Sequence, residues 1–377
     1  MIFINTEEKM EEEFSKKEVE DNADEGSGVR YTKEKFLFLV MSFLLLIVVF
    51  YRVGFEGVLF RIGTLDIYTI FGLVGLTALV FFIDAFRWKI VIDGLKRSSY
   101  TSLFPIFLGG NFVNTITPGL NSGGEVVRAY YLSKLTGKTK AECFATIIID
   151  GFALGLAFFV LLLFSLVYMS LFLKVTRKVV VLVAIVFAFL FSAGGLYYRH
   201  RKRAKTEKFR EGFSRFLRKI YQARFLKRFF KEHRTFEKFE NFIYERIEHF
   251  KSTFKNLVKN KSLFLKAFSV SFIPMLLMIL RSYILFRAMG EVVDFLTILA
   301  VLSCAYFLGY FIPLPGGIGI IEATMIELYI VNDIDPAVAG AVALLDRSFY
   351  LMFSMGGGYL SLNYLAYKYT LKKDEKA

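Results

Sequence analysis

Two proline–glycine steps, each seven residues ahead of a glutamate, interrupt a chain that is otherwise apolar enough to lie in a membrane. Pro118 precedes Glu125 within NFVNTITPGLNSGGEVVRAYYL (Asn111 to Leu132), and Pro315 precedes Glu322 within PLPGGIGIIEA (Pro313 to Ala323). A helix facing lipid does not tolerate clustered Pro, Gly, Asn and Glu, because freed backbone groups and a charge would sit in hydrocarbon. Such backbone is expected to persist at membrane depth only where it lines a cavity. Two of these elements in one chain point to the broken-helix site of a transporter-like protein.

The membrane reading rests on composition. Of 377 residues, 55% are hydrophobic and 17% aromatic, and the mean hydropathy is +0.49. Soluble domains are less apolar than this. Residues 1–35 carry eleven acidic and six basic side chains, the pattern of a disordered acidic tail rather than a cleavable signal sequence. The formal net charge is +14, and residues 199–262 alone hold 21 Lys/Arg against seven Asp/Glu, an excess equal to the whole. The positive-inside rule makes that loop cytoplasmic, so the basic balance calls for no nucleic-acid partner.

Apolar stretches at 36–54, 67–90, 142–170, 179–198, 263–289 and 337–368 are long enough to span a bilayer. Two more, 102–133 and 295–332, are broken by the Pro-Gly steps and are expected to be re-entrant. Lys96, Arg97, Lys134, Lys138 and Lys140 flank the first. Glu291, Asp294, Asp333 and Asp335 flank the second, so the two are expected to enter from opposite sides. Only Lys174, Arg177 and Lys178 run against this topology. The expected fold is an all-α polytopic membrane protein of about six spans plus two re-entrant hairpins, arranged as inverted four-element units over 36–170 and 179–368. Both termini and loop 199–262 would then face the cytoplasm. The expected organisation is tail 1–35, first membrane half 36–198, loop 199–262, second half 263–368 and tail 369–377. An offset of 197 residues superposes Pro118 on Pro315, Glu125 on Glu322, Asp150 on Arg347 and Asp84 on Arg281.

Glu125 and Arg128 share a helix face. Gly123 and Gly124 open that half-helix, where unpaired N–H groups make an anion seat, and Arg128 adds a fork suited to phosphate. Asn111, Asn114 and Thr117 line the way in. In the second element Gly316 and Gly317 precede Glu322, whose partner is expected to be Arg281 or Arg347. Asp150 stands alone in TIIIDGFALGLAFF. Glu125, Asp150 and Glu322 are therefore expected to meet Arg128, Arg281 and Arg347 inside the bundle. Such a network either holds a substrate or only braces the fold. Asp84 and Arg87, beside Trp88 near a span end, suit an interfacial anchor pair better. The glycines at 356–358 suit close helix packing.

Loop 199–262 places Phe209, Phe213, Phe216 and Ile220, and Phe236, Phe239, Ile243, Ile247, Phe250 and Phe254, at helical spacing among basic residues. These helices suit either an anionic membrane surface or the protein's own cytoplasmic face. Cys143 and Cys304 read as core residues. His200, His233 and His249 lack metal-ligand spacing, so no metal or other cofactor is expected. No Walker loop, nucleophile elbow or dinucleotide fingerprint occurs, which argues against an enzyme.

The two broken segments, with the FRW at Phe86 to Trp88 and the LLDR at Leu344 to Arg347, together resemble the lysylphosphatidylglycerol synthase transmembrane family, also called flippase-like membrane proteins. The resemblance covers about 36–368. In multiple peptide resistance factors this region is implicated in moving aminoacylated phosphatidylglycerol between leaflets. It implies that the Glu125/Arg128 and Glu322 segments line a lipid path, with a membrane phospholipid or lipid-linked molecule as substrate. Those proteins carry a soluble synthase domain after the membrane region, whereas this sequence reaches Ala377 soon after its last span, so aminoacyl transfer is not expected. Relatives fused to glycosyltransferases widen the substrate to polyprenyl-linked sugars. A homo-oligomer, or a lipid-modifying enzyme partnered through the basic loop, stays open.

Overall fold

A computed structural model describes residues 54–117, 123–174, 235–312 and 314–374, with a few isolated positions elsewhere. The expected spans 36–54 and 179–198, both tails, most of loop 199–234, and Pro118, Gly119 and Pro313 lie outside or almost wholly outside the described residues. Every regular element among the described residues is helical.

A short helix α1 (Phe55–Gly63) precedes α2 (Ile67–Asp93), which is one of four helices long and apolar enough to cross a membrane. The others are α5 (Lys140–Phe172), α7 (Lys261–Ala288) and the stretch Pro336–Tyr369. That last stretch comprises α10 (Pro336–Leu351), a π-helical turn at Met352–Gly357 and α11 (Gly358–Asp374). Large apolar side chains point outward on these helices. Phe152 of α5, for instance, is 63% exposed, as a lipid-facing residue would be.

Each Pro-Gly element splits a helix pair. The first is α3 (Tyr100–Ile116) with α4 (Gly124–Thr136). The second is α8 (Phe295–Phe311) and α9 (Ile320–Val331), joined by a 3-10 turn at Pro315–Gly317. That turn needs left-handed backbone at Gly316 (φ +58°) and Gly317 (φ +66°), which side chains resist. Both pairs are hairpins that leave by the end they entered. Lys96, before α3, donates to the Thr136 carbonyl at the end of α4 (2.5 Å). Around the second hairpin, Tyr168 near the end of α5 donates to Asp294 (2.9 Å), and Lys174 just beyond α5 pairs with Asp333 after α9. The start of α5 follows directly on the first hairpin's open end, so one helix links two hairpins that enter from opposite ends. The same contact accounts for Lys174, whose charge ran against the loop pattern: it is matched by Asp333.

The halves interlock. Helices α2 and α7 pack along each other, and α11 of the second half covers α3 of the first. A methyl group on Gly358 would come within 2.6 Å of the Leu108 carbonyl oxygen, so the close packing expected of this glycine run is seen there. Cys143 and Cys304 are buried and unpaired. Beyond loop residue 235, α6 (Phe236–Lys259) packs on α5, burying Leu257 with Ile149 and Ala153 and setting Phe250 against Phe144. The protein's own surface thus takes part of this helix's apolar face.

Candidate functional site

The buried charges gather in two clusters, one in each half, rather than in one shared network. In the first, Arg87 Nε donates to Asp150 Oδ1 (2.8 Å), its Nη2 reaches Oδ2 (3.4 Å), and it also pairs with Asp84. Arg128 Nη2 reaches the same Asp150 Oδ2 at 3.4 Å. Its guanidinium lies 4.1 Å from the centre of the Trp88 ring and 4.9 Å from that of Phe107. Gly110 makes room for it, since any side chain there would collide with the Arg128 stem. Arg87 is only 2% exposed, so it is a core residue and not the interfacial anchor that its neighbours suggested.

In the second cluster Arg281 Nε donates to Asp346 Oδ1 (2.8 Å), Ser282 donates to the same oxygen (3.1 Å), and Arg281 Nη1 donates to Thr77 of α2 (3.0 Å). Arg281 Nη2 also lies 2.7 Å from that oxygen, without hydrogen-bond alignment. Arg347 Nε donates to Glu322 Oε1 (3.1 Å), and its Nη2 donates to the Gly316 carbonyl (2.6 Å). Glu322 Oε2 accepts the Gly319 N–H (2.7 Å). Of the two partners expected for Glu322, the structure selects Arg347.

The clusters share one duplicated Arg–Asp pair. Asp150 and Asp346 each stand ten residues after the first residue of their helices, Lys140 and Pro336, or about 15 Å along the axis. Arg87 and Arg281 stand six and seven residues before the ends of α2 and α7. Arg87–Asp150 thus corresponds to Arg281–Asp346. The single offset of 197 mismatched these residues, placing Asp150 on Arg347 and Asp84 on Arg281, because the segments between the landmarks differ in length. Since the hairpins enter from opposite ends, one Arg–Asp pair lies toward each end of the bundle. Sequence reasoning missed Arg87 and Asp346 as members of these clusters. Counting from helix starts would have found them.

Glu125 and Arg128 form no ion pair. Glu125 Oε1 accepts from Asn114 Nδ2 (3.2 Å), and its buried Oε2 has no partner among the described residues. The Gly123–Gly124 anion seat is also closed in this conformation, because Asn114 Oδ1 accepts the Gly124 N–H (2.6 Å). Arg128 Nε, likewise buried, has no partner. Asn111 contributes its carbonyl, which accepts from Thr115 (2.9 Å) and Ser354 (3.2 Å). Thr117 ends α3 beside Gly123. The hairpin tips meet here, where Gly316 packs on Thr115, and the Thr115 hydroxyl lies 2.6 Å from that of Ser354 in the π-helical turn of the last span. Asp150, Arg281, Glu322, Asp346 and Arg347 are at most 3% exposed, so they sit in packed protein and not in an open wet pocket. Among the described residues, His, Cys, Asp and Glu form no cluster of three suited to a metal.

Long apolar helices, opposed half-membrane hairpins and duplicated buried ion pairs define a polytopic membrane protein with a broken-helix core. The profile of the lysylphosphatidylglycerol synthase TM region matches residues 36–358, and the chain belongs to that family. It is similar to a UPF0104 membrane protein of Methanothermobacter thermautotrophicus, with 29% identity over 72% of this chain and 78% of the relative. It is likewise 29% identical to UPF0104 membrane protein MJ1595 of Methanocaldococcus jannaschii, over 89% of this chain and 95% of the relative. UPF0104 membrane protein PH1989 of Pyrococcus horikoshii is 25% identical over 86% of this chain and 96% of its own length.

Proposed function

We propose that the chain moves an anionic phospholipid or lipid-linked headgroup between leaflets, with no covalent chemistry of its own. The observation that carries this reading is Arg128, a buried arginine whose bonding is incomplete. Among the described residues its only ion-pair contact is a 3.4 Å approach to a carboxylate already held by Arg87, and its Nε has no partner. A buried charged donor without its full set of acceptors is costly, and a phosphate oxygen would complete it. The duplicated Arg–Asp pairs support alternation. Opening one end of the bundle would loosen one pair while its copy keeps the other end shut. By the positive-inside rule, the end carrying Lys96, Arg97 and α6 faces the cytoplasm.

The test is leaflet exchange of labelled anionic lipid in vesicles holding the full chain. Wild type is expected to exchange it, and Arg128→Ala to lose exchange while keeping its helicity and its elution as a folded protein. Undiminished exchange by a folded Arg128→Ala variant would refute the role.

A further inference from the structure

We infer that a groove between the end of α2 and the start of α7 holds a bound anionic phospholipid, at a site separate from the ion-pair core. The cavity measures about 890 Å³, within the rough 300–1,000 Å³ range of small-molecule sites. Its lining changes character along its length. Phe86, Ile90, Leu265 and Val270 form an apolar wall, while Arg97, Lys266, Asn260 and Ser262 form the mouth. The wall belongs to spanning helices and faces outward, with Phe86 48% and Leu265 62% exposed, so acyl chains reach it from the bilayer without entering the protein. The floor is set at Gly94, where Leu257 and Leu263 pack so closely that a side chain would collide with them.

Charge identifies the occupant. Arg97 and Lys266 are exposed at the mouth, and neither makes an ion pair among the described residues. Asp93 is the acidic group in the lining, and it is already engaged by Lys89 and by the Ser98 N–H (3.3 Å). Asn260, also in the lining, spends its carbonyl oxygen on the Leu263 N–H (3.1 Å), which leaves its amide hydrogens available. Two free cations and neutral donors at headgroup level, above an apolar wall continuous with lipid, are complementary to a phosphate with attached chains. A free anion would use only the mouth and leave the wall unexplained. The cavity lining includes none of Arg128, Asp150, Glu322 or Arg347.

The experiment is native mass spectrometry of the detergent-solubilised full chain, titrated with phosphatidylglycerol or phosphatidylcholine. Wild type is expected to retain phosphatidylglycerol about tenfold more tightly than phosphatidylcholine, a difference of about 1.4 kcal/mol. Arg97→Gln with Lys266→Gln is expected to lose that preference. Lys134→Gln with Lys138→Gln, which removes equal charge from the same end, is expected to keep it. Ser269→Phe fills the groove without altering charge and is expected to weaken both lipids. Millimolar inorganic phosphate is expected not to displace bound lipid. An unchanged preference in the Arg97/Lys266 variant, equal retention of both lipids by wild type, or displacement by phosphate would each overturn the proposal. The groove shares none of its lining with the ion-pair core, and its readout is lipid retention rather than leaflet exchange, so failure of the translocation reading leaves this result standing.

Discussion

The two hairpins share a design and differ in how completely their glutamates, and the arginines beside them, are bonded. In the second, Glu322 divides its oxygens between the Gly319 N–H and Arg347, and Arg347 also ties down the Gly316 carbonyl. In the first, the neutral Asn114 caps the half-helix, Glu125 keeps a buried oxygen without a partner, and Arg128 shares a carboxylate with Arg87. A fully bonded carboxylate and guanidinium gain little from a ligand, whereas incompletely bonded ones gain more; the Tyr306 and Tyr329 hydroxyls of the second hairpin are nonetheless buried without a partner among the described residues. On the function proposed above, the Glu322–Arg347 pair is the brace and Arg128 is where a substrate would be felt.

The comparison can be broken at several points. The largest effect is expected from Arg347→Ala, which strands the buried Glu322 charge and should cost about 3–5 kcal/mol. Thermal unfolding in detergent checks this, and an unchanged midpoint would mean that the second hairpin braces nothing. Next is Arg128→Ala. Asp150 keeps Arg87, so the stability loss should be less than half that of Arg347→Ala, while anionic-lipid exchange falls about tenfold or more, the scale of one charge-assisted contact. Equal destabilisation by the two variants would erase the distinction. Glu322→Gln should cost about 2 kcal/mol, because a hydrogen-bonded charge pair is lost. Its counterpart Glu125→Gln keeps an acceptor for Asn114 and should stay within about 1 kcal/mol of wild type, read from the same melts. Comparable in size is Asn114→Ala, which removes a helix cap worth about 1 kcal/mol. A larger loss there would show that the first hairpin is held more tightly than its bonds imply.

Much of this architecture was legible in the chain. The spans at 67–90, 142–170, 263–289 and 337–368 follow from hydropathy, and the hairpins from Pro-Gly steps that a lipid-facing helix would reject. The Arg347–Glu322 pair was within reach because few cations lie near that glutamate. Arg87 was hidden by its surroundings: Asp84 one turn away and Trp88 beside it mimic an anchor at the membrane surface. Asp346 was hidden by Arg347, since adjacent opposite charges read as each other's partners, while on a helix they point apart. Asn114's capping role depends on the fold of the hairpin, which places a residue ten positions upstream of Gly124 against its N–H. No local spacing rule reports that contact.

The packing of α11 over α3 also bears on how the chain is made. The wall that finally covers the first hairpin includes Gly358, Leu362 and Leu365, more than 200 residues downstream of Thr136. At about 5–20 residues per second, a ribosome needs roughly 10–45 s to deliver it. Until then Asn111, Thr115 and their neighbours must be sheltered by the insertion machinery or by provisional helix contacts, so nascent chains stalled before residue 358 should be the ones that quality-control proteases recognise.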